Sequence, residues 1–246
     1  MGFCLNNGKY MHKIIHRAAS RGFFDHGWLK SYHSFSFAEY HNPERNNFGL
    51  LRVLNDDWID PAQGFGTHPH KNMEIITIPL AGSLKHQDSM GHKEVIQSGE
   101  VQRMSAGLGV AHSEYNNSTV DLLNLLQIWI FPKEKNIAPS YEQKQFSIND
   151  RQNKVQLLVA PDGREGAVSI NQDAFLSLSN LSQGSSLNYS LKLPENGLYI
   201  FVIAGTVQVL DETLCQRDAI ALSEINDVSM RAIEDAELLI IEVPMR

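Results

Sequence analysis

The chain is poor in cysteine and in positive charge. Only two cysteines, Cys4 and Cys215, occur in 246 residues. They form neither a CxxC pair nor a disulfide framework, which fits a reducing compartment, and nothing around either thiol indicates activation for catalysis. Acidic residues outnumber basic ones by 28 to 21, so the formal net charge is −7. Because a protein that neutralises phosphates normally carries a basic face, direct binding to nucleic acid is not expected.

Long apolar runs are also missing. No stretch reaches the roughly 20 residues that a helix needs to cross a bilayer. The first eight residues lack the basic and apolar regions of a signal peptide, and Met11 is an alternative natural start. We therefore expect a cytoplasmic protein with no membrane partner.

Helical periodicity is scarce as well. Short apolar runs separated by turn residues dominate, which predicts an all-β chain built as sandwiches or barrels. Typical turn signals are Ser98-Gly99-Glu100 and Pro161-Asp162-Gly163. The predicted strands lie in Phe48–Leu54, Met73–Leu80, Leu122–Phe131, Val155–Ala160, Leu187–Leu193, Leu198–Val209 and Leu238–Val243.

These strands fall into two β-rich halves. A polar connector over Lys133–Asn153, with one short helix, is expected to separate them. We place one domain at residues 11–140 and the other at residues 141–246. Similar phrases surround Gly82 in the first half and Gly205 in the second, 123 residues apart, which indicates an internal duplication.

Four side chains in the first half have the spacing of metal ligands. His68 and His70 are two residues apart, and so are His112 and Glu114. Side chains at i and i+2 of a strand point to the same face, so two adjacent strands would bring all four groups to one ion. Three imidazoles and a carboxylate suit Fe(II), Co(II), Ni(II), Cu(II), Mn(II) or Zn(II), and they disfavour Ca²⁺ or Mg²⁺. The alternative is that they are ordinary core or surface side chains of strands.

The surroundings of these pairs are distinctive. Small residues precede both pairs, where they either let the backbone pack closely beside a site or simply make turns. All ten histidines lie between His12 and His112, so only the first half can supply imidazole ligands.

Longer segments around the pairs resemble a known family. The stretches 64–77, 86–92 and 99–116 are similar to the signature of pirins and pirin-like bicupins, and they include Gly64-Phe-Gly-Thr-His-Pro-His and Gly107-Leu-Gly-Val-Ala-His-Ser-Glu. Upstream, Gly27-Trp28 and His33-Ser-Phe-Ser-Phe resemble the start of the same domain. The match covers most of residues 14–132, whereas the second half is similar to the family only in length and strand character.

This resemblance implies two cupin barrels of the jelly-roll type in tandem, with a single metal ion in the first. The family's ligands fall on His68, His70, His112 and Glu114, and Fe(II) is the first choice of ion.

Two positions differ from the general cupin pattern, but pirin-like chains share both differences. Glu74 stands where the general pattern has a ligand, and Ser105 replaces a proline. We expect Glu74 to be structural or to lie behind the ligands.

The resemblance also implies an activity. Pirin-like chains of this type are similar to quercetin 2,3-dioxygenases, which implies opening of a flavonol ring by O₂ with release of carbon monoxide and a depside. Glu114 would then be both a ligand and the catalytic base that accepts the proton of the 3-hydroxyl group. Apolar walls would raise its basicity and the metal charge would lower it, so the direction of the net pKa shift stays open.

Two other functions stay open. Pirins are also associated with transcription factors and with the control of metabolic enzymes, so one alternative is a non-enzymatic regulator that acts through a protein partner and has a structural or redox metal. The other is a small-molecule binder or a different cupin reaction, such as isomerisation or hydrolysis, because a fold alone does not choose between functions.

The remaining histidines have structural explanations. His12 and His16 are four residues apart in a terminal stretch that offers no third ligand. His86 and His92 flank a turn, and His86 is expected to hydrogen-bond within a hairpin rather than to touch the site. Three more, in an aromatic-rich region expected to pack the barrel, are His26, His33 and His41.

Overall fold

The computed structural model describes residues 2–6 and 9–246, with side chains from Met11 onward. Within these residues the chain is almost entirely strand, which confirms the all-β prediction. The short 3-10 helices are Ala18–Ser20, Ile148–Arg151 and Arg164–Gly166. None of the described helices is long and apolar enough to cross a membrane. The Cys4 side chain lies outside the described part of the chain, and Cys215 is a free, exposed thiol.

The strands of the described residues follow one another in chain order. They are β1 (Gly2–Asn6), β2 (Lys9–His16), β3 (Gly22–Asp25), β4 (Leu29–His33), β5 (Leu51–Ile59), β6 (Gly64–His70), β7 (Glu74–Ala81), β8 (Ser83–Asp88), β9 (Lys93–Gln97), β10 (Glu100–Ser105), β11 (Val110–Asn116), β12 (Leu123–Ile130), β13 (Ser140–Gln145), β14 (Gln156–Ala160), β15 (Val168–Ser169), β16 (Phe175–Leu181), β17 (Ser186–Ser190), β18 (Asn196–Ala204), β19 (Val207–Val209), β20 (Glu212–Leu214), β21 (Ala219–Ser223), β22 (Asp227–Ala232) and β23 (Ala236–Pro244).

Each half of the chain forms a jelly-roll barrel from one large and one small sheet. The first half has a large sheet of order β13-β10-β7-β12-β5-β4-β3 and a small sheet of order β6-β11-β8-β9. The second half has a large sheet of order β1-β2-β21-β18-β23-β16-β14-β15 and a small sheet of order β17-β22-β19-β20. This tandem of barrels confirms the predicted fold class.

The two barrels repeat one topology. Position by position, β7 corresponds to β18, β12 to β23 and β11 to β22. Gly82 lies at the turn from β7 to β8 and Gly205 at the turn from β18 to β19, with φ angles of +82° and +78°. A Cβ atom on Gly205 would lie 1.9 Å from the carbonyl oxygen of Asp235, so both the left-handed backbone and the close approach require glycine there. The duplication indicated by the sequence is therefore present in the topology.

The largest apolar cluster lies between the two barrels. It includes Ile76 and Ile128 from the first large sheet and Phe201 and Ile241 from the second. The two large sheets therefore pack face to face, and burial of this apolar surface stabilises the tandem.

The interiors of the two barrels differ in polarity. Apolar side chains such as Ile200, Val207 and Met230 fill the second barrel. In the first barrel, the strand neighbours of Ile76 and Ile128 are Thr77 and Gln127, whose side chains point inward and hydrogen-bond to one another. Buried polar groups cost free energy unless they are paired, so the polar interior marks the first barrel as the place of a site.

The connector contains a strand that the sequence did not predict. In β13, Tyr141 pairs with Met104 of β10 in the first large sheet, and the expected short helix follows as Ile148–Arg151. This edge strand is polar and only half-buried, so it lacks the apolar signal of the others. Strand β2 joins the second large sheet through β21. The domain limits at residues 11–140 and 141–246 stay a prediction, and each large sheet receives a strand from beyond them.

Candidate metal centre

Two neighbouring strands carry the four predicted ligands. Strand β6 holds His68 and His70, and it pairs antiparallel with β11, which holds His112 and Glu114. His112 stands opposite His68, and a β-bulge between His112 and Glu114 shifts the register. Such bulges redirect side chains, and this one sets Glu114 opposite Phe65 rather than Gly66.

Glycine makes close backbone approaches possible at the start of β6 and just before β11. A Cβ atom on Gly64 would lie 2.2 Å from the Glu114 carbonyl oxygen, and one on Gly107 would lie 2.1 Å from the Ile137 carbonyl oxygen. Close backbone packing beside the site therefore explains the small residues at these two positions.

Three imidazoles converge at the mouth of the first barrel. The Nε2 atoms of His70 and His112 are 2.9 Å apart, and the ring centroids of His68 and His112 are 4.4 Å apart. His68 donates through Nδ1 to the Gly66 carbonyl oxygen over 2.8 Å. That hydrogen bond leaves the lone pair of His68 on Nε2, the tautomer that a ligating imidazole needs.

The charges at this centre favour neutral imidazoles. Burial, together with the neighbouring imidazoles, lowers the pKa values of His70 and His112 to about 3. A neutral imidazole has one nitrogen with a free lone pair, which is the state in which histidine binds a cation.

Glu114 lies deeper in the barrel and is 3% exposed. Gln127 donates to its Oε2 atom over 3.1 Å, and the Thr77 hydroxyl donates to Oε1 over 3.4 Å. Burial raises the pKa of Glu114, although nearby histidines and these hydrogen bonds oppose the shift. The sequence left the direction of the net pKa shift of Glu114 open, and in the absence of an ion the shift is upward.

The described residues contain two overlapping trios of metal-ligand type. One consists of His68, His70 and His112, and the other of His86, His112 and Glu114. Within each trio, one ligand atom per residue lies within 4.8 Å of the others. The three predicted histidines thus lie together, whereas Glu114 is grouped with His112 and with His86, for which we expected a hairpin hydrogen bond.

His86 does make that hairpin contact. Its Nε2 atom lies 3.2 Å from Asp88, whose carboxylate also accepts from His92 Nδ1 over 2.9 Å. Burial alone would raise the pKa of Asp88, but hydrogen bonds from both histidines hold it below its usual value. The His92 ring stacks on Tyr141 at 4.5 Å. The alternation of His86 and Asp88 on β8, both facing inward, was the signal available in the sequence.

A second polar group in the barrel was missed. Asp57 is buried on β5, and the Ser31 hydroxyl lies between its carboxyl group and Nε2 of His33. Burial, with a smaller contribution from the charges of Asp56 and Glu114, raises the pKa of Asp57 to about 7 against the opposing hydrogen bond from Ser31. The run Asn55-Asp56-Asp57 inside an apolar strand was the available signal.

Glu74 lies outside this interior. Its Oε2 atom accepts from the Ser105 hydroxyl over 2.7 Å and from the Asn171 backbone N–H over 3.3 Å. Glu74 therefore links the two barrels, in agreement with the structural role that we expected for it. Ser105, which replaces the usual proline, supplies its partner.

Two of the other histidines, His16 and His33, pack inside the protein, whereas His26 and His41 are exposed. His16 hydrogen-bonds to the Tyr199 hydroxyl over 2.9 Å, and burial lowers its pKa to about 4. The His33 ring packs on Phe24 and Phe37 at 5.3 and 5.2 Å. Neither histidine belongs to a ligand cluster among the described residues.

The donor set fits a divalent transition metal ion. Imidazole nitrogens with a carboxylate oxygen suit such ions, and the Nδ1 atoms of His86 and His112 are buried without a hydrogen-bond partner. Unpartnered buried nitrogens are costly unless something occupies the space that they face.

A tandem of jelly-roll barrels with ligand-type side chains gathered in one of them defines a bicupin. The Pirin family model matches residues 15–130, and the model of the quercetinase C-terminal cupin domain matches residues 157–243. The chain belongs to the pirin family, which confirms the predicted resemblance.

Similar proteins support this assignment along the whole chain. A protein named quercetin 2,3-dioxygenase from Escherichia coli K12 is 43% identical, over 94% of this chain and 98% of its own length. A pirin-like protein from Caulobacter vibrioides is 41% identical over 89% of this chain and 94% of its own. The crystal structure of the bacterial pirin YhhW from Escherichia coli in complex with nickel(II) has a TM-score of 0.90 and 42% identity, covering 95% of this chain and 99% of that one. These names agree with the predicted oxidoreductase class and with a divalent metal ion.

Proposed function

We propose that this protein is a metal-dependent dioxygenase that opens flavonols such as quercetin with O₂, releasing carbon monoxide and a depside. His68, His70, His112 and Glu114 would hold the ion, with Fe(II) as the first choice. The observation that carries the proposal is the convergence of three imidazoles near a buried carboxylate. A relative that is 43% identical is named quercetin 2,3-dioxygenase, which supports the reaction type.

A divalent ion bound here supplies Lewis-acid chemistry and a template for the substrate. The residues of the chain perform the proton transfer. In the absence of an ion, burial raises the pKa of Glu114, and its carboxylate accepts the proton of an acidic 3-hydroxyl group. Gln127 and Thr77 keep the carboxylate oriented in both protonation states. The same carboxyl group returns the proton when the product leaves.

Aromatic side chains flank the centre on two sides, which favours a planar substrate. Trp129 lies edge-on to His70 with ring centroids 5.0 Å apart, and Phe37 packs on Trp129 at 5.3 Å. On the other side Phe65 lies 6.4 Å from His68. Flat aromatic rings pack well against such edges and faces.

The experiment is reconstitution of metal-free protein with Fe(II), Ni(II), Co(II) or Cu(II), followed by quercetin in air. We expect loss of the flavonol absorbance, consumption of O₂ in equal amount and release of carbon monoxide. Glu114→Gln should lower turnover about 100-fold or more while most of the metal stays bound. The exposed Glu94→Gln is the matched control.

Two results would count against the proposal. If Glu114→Gln loses metal and activity in proportion, the carboxylate is a ligand without a role as base. If metal-loaded wild type leaves flavonols untouched and instead retains one specific protein partner, the regulatory alternative replaces the enzyme.

A further inference from the structure

His86 stands apart from the four ligands of the proposed function. It is fully buried on β8, directly opposite Glu114 of β11 in the small sheet. Its ring centroid lies 5.3 Å from that of His112. A histidine in this position faces the same space as Glu114, from the neighbouring strand.

Asp88 fixes the hydrogen of the His86 ring. A carboxylate only accepts hydrogen bonds, so the contact between Asp88 and His86 Nε2 at 3.2 Å places the hydrogen on Nε2. The lone pair is then on Nδ1, which is buried and has no hydrogen-bond partner. A carboxylate that holds one nitrogen of an imidazole while the other nitrogen carries the lone pair is the usual support of a metal-binding histidine.

We propose that the centre offers a divalent ion a second, inner position formed by His86, His112 and Glu114, next to the outer position of the proposed function, to which His68 and His70 belong. The inference rests on the metal centre of the proposed function, and it adds His86 as a ligand of that centre. The two positions share His112 and Glu114, so one ion occupies one of them at a time.

The spacing of the inner trio suits a single ion. Ligand atoms about 2.1 Å from one ion lie roughly 3 to 4 Å from each other. The three ligand atoms of the inner trio all lie within 4.8 Å of one another, so small side-chain movements bring them to coordination distance.

The two positions differ in their access to solvent. His86, His112 and Glu114 are 0%, 2% and 3% exposed, whereas His68 and His70 are half-exposed. An ion in the outer position therefore faces the mouth of the barrel, and an ion in the inner position is enclosed.

The test is Co(II) titration of the metal-free full-length chain, followed by visible absorption and elemental analysis. His70→Ala breaks the outer trio and leaves the inner one intact. We expect His70→Ala to retain about one equivalent of Co(II) with a changed spectrum. The double variant His70→Ala/His86→Ala should bind at least tenfold more weakly than His70→Ala.

The matched control is His70→Ala/His41→Ala, which also removes one further imidazole but at an exposed position. It should bind Co(II) as His70→Ala does. The inference is overturned if His70→Ala binds no Co(II), or if the double variant with His86→Ala binds within twofold of His70→Ala. Failure of wild type to bind any of the four ions would instead sink the proposed function.

A second measurement does not depend on the folding of these variants. Cu(II)-loaded wild type should give two sets of electron paramagnetic resonance signals, one for each position, and His86→Ala should give one. A single set in wild type that His86→Ala leaves unchanged would overturn the inference.

Discussion

The side-chain amide of Gln127 donates a 3.1 Å hydrogen bond to the Glu114 carboxylate across the interior of the first barrel. Gln127 belongs to the large sheet and Glu114 to the small sheet, so this contact joins the two sheets at the centre. The contact also lowers the pKa of Glu114 against the larger effect of burial.

Replacement of Gln127 by methionine should therefore change the pH profile of the proposed reaction. Without the donor, the pKa of Glu114 rises further, and the pH at which activity reaches half its maximum rises with it. Since a hydrogen bond to a charged group contributes about 1.5–3 kcal/mol, activity at neutral pH should fall roughly 10- to 100-fold. Gln127→Asn should restore part of the loss, and a profile that does not move in Gln127→Met would contradict the role.

Asp57 should give the protein an unusual dependence of stability on pH. Burial raises its pKa from 3.8 to about 7, so the folded state binds the proton more tightly than the unfolded state. The free energy of unfolding should therefore fall as pH rises from about 4 to about 7. Asp57→Asn, which is neutral at every pH, removes this loss.

Urea denaturation of metal-free protein at pH 4 and pH 8 measures the effect. From pH 4 to pH 8, the free energy of unfolding of wild type should fall relative to that of Asp57→Asn by on the order of 2–4 kcal/mol. The exposed Asp121→Asn should show no such difference from wild type. If the free energies of unfolding of both variants change equally with pH, Asp57 is already ionised at pH 4 in the folded protein.

Asp56 should contribute strongly to the stability of the contact between the two barrels. Its Oδ2 atom lies 3.2 Å from Arg21 and 3.1 Å from Arg217, and all three side chains are largely buried. Asp56→Ala leaves two guanidinium groups without their anion, so the free energy of unfolding should fall by about 3–5 kcal/mol. Asp162→Ala breaks an exposed ion pair with Arg164, and it should change stability little.

Gly205 offers a test of the turn that the two barrels share. Gly205→Ala would set a Cβ atom 1.9 Å from the Asp235 carbonyl oxygen, so the turn must shift as well as adopt a strained backbone. Gly166→Ala has a similar φ angle of +78°, yet no atom lies within 4 Å of the added Cβ. Thermal unfolding should show a cost of about 1–2 kcal/mol for Gly166→Ala and a clearly larger one for Gly205→Ala. Equal costs would mean that the turn absorbs the clash.

The sequence predicted the features that local pattern determines. Alternation and turn residues were enough for most of the strands, and the HxH and HxE spacings were enough to find the three histidines that lie together. The predicted fold and family are confirmed, whereas the roles of the four residues as ligands and of Glu114 as base stay predictions.

Residues that act across strands were harder to predict. His86 reaches Glu114 only because β8 lies beside β11 in the small sheet, and a pairing between distant segments is not visible in either segment alone. Asp57 and Gln127 meet the interior through the register of β5 and β12, and strand β13 has no apolar pattern at all. Side-chain spacing gives the face of a strand, but only the tertiary fold gives its neighbours.

Each large sheet takes outer strands from beyond the predicted limits of its domain, β1 and β2 in the second sheet and β13 in the first. Separate expression of residues 11–140 would strip β13 from the first barrel, and residues 141–246 alone would lack β2. Both fragments would also expose the apolar faces that are pressed together in the intact protein. The protein should therefore melt in a single cooperative transition, and neither fragment should fold without the other.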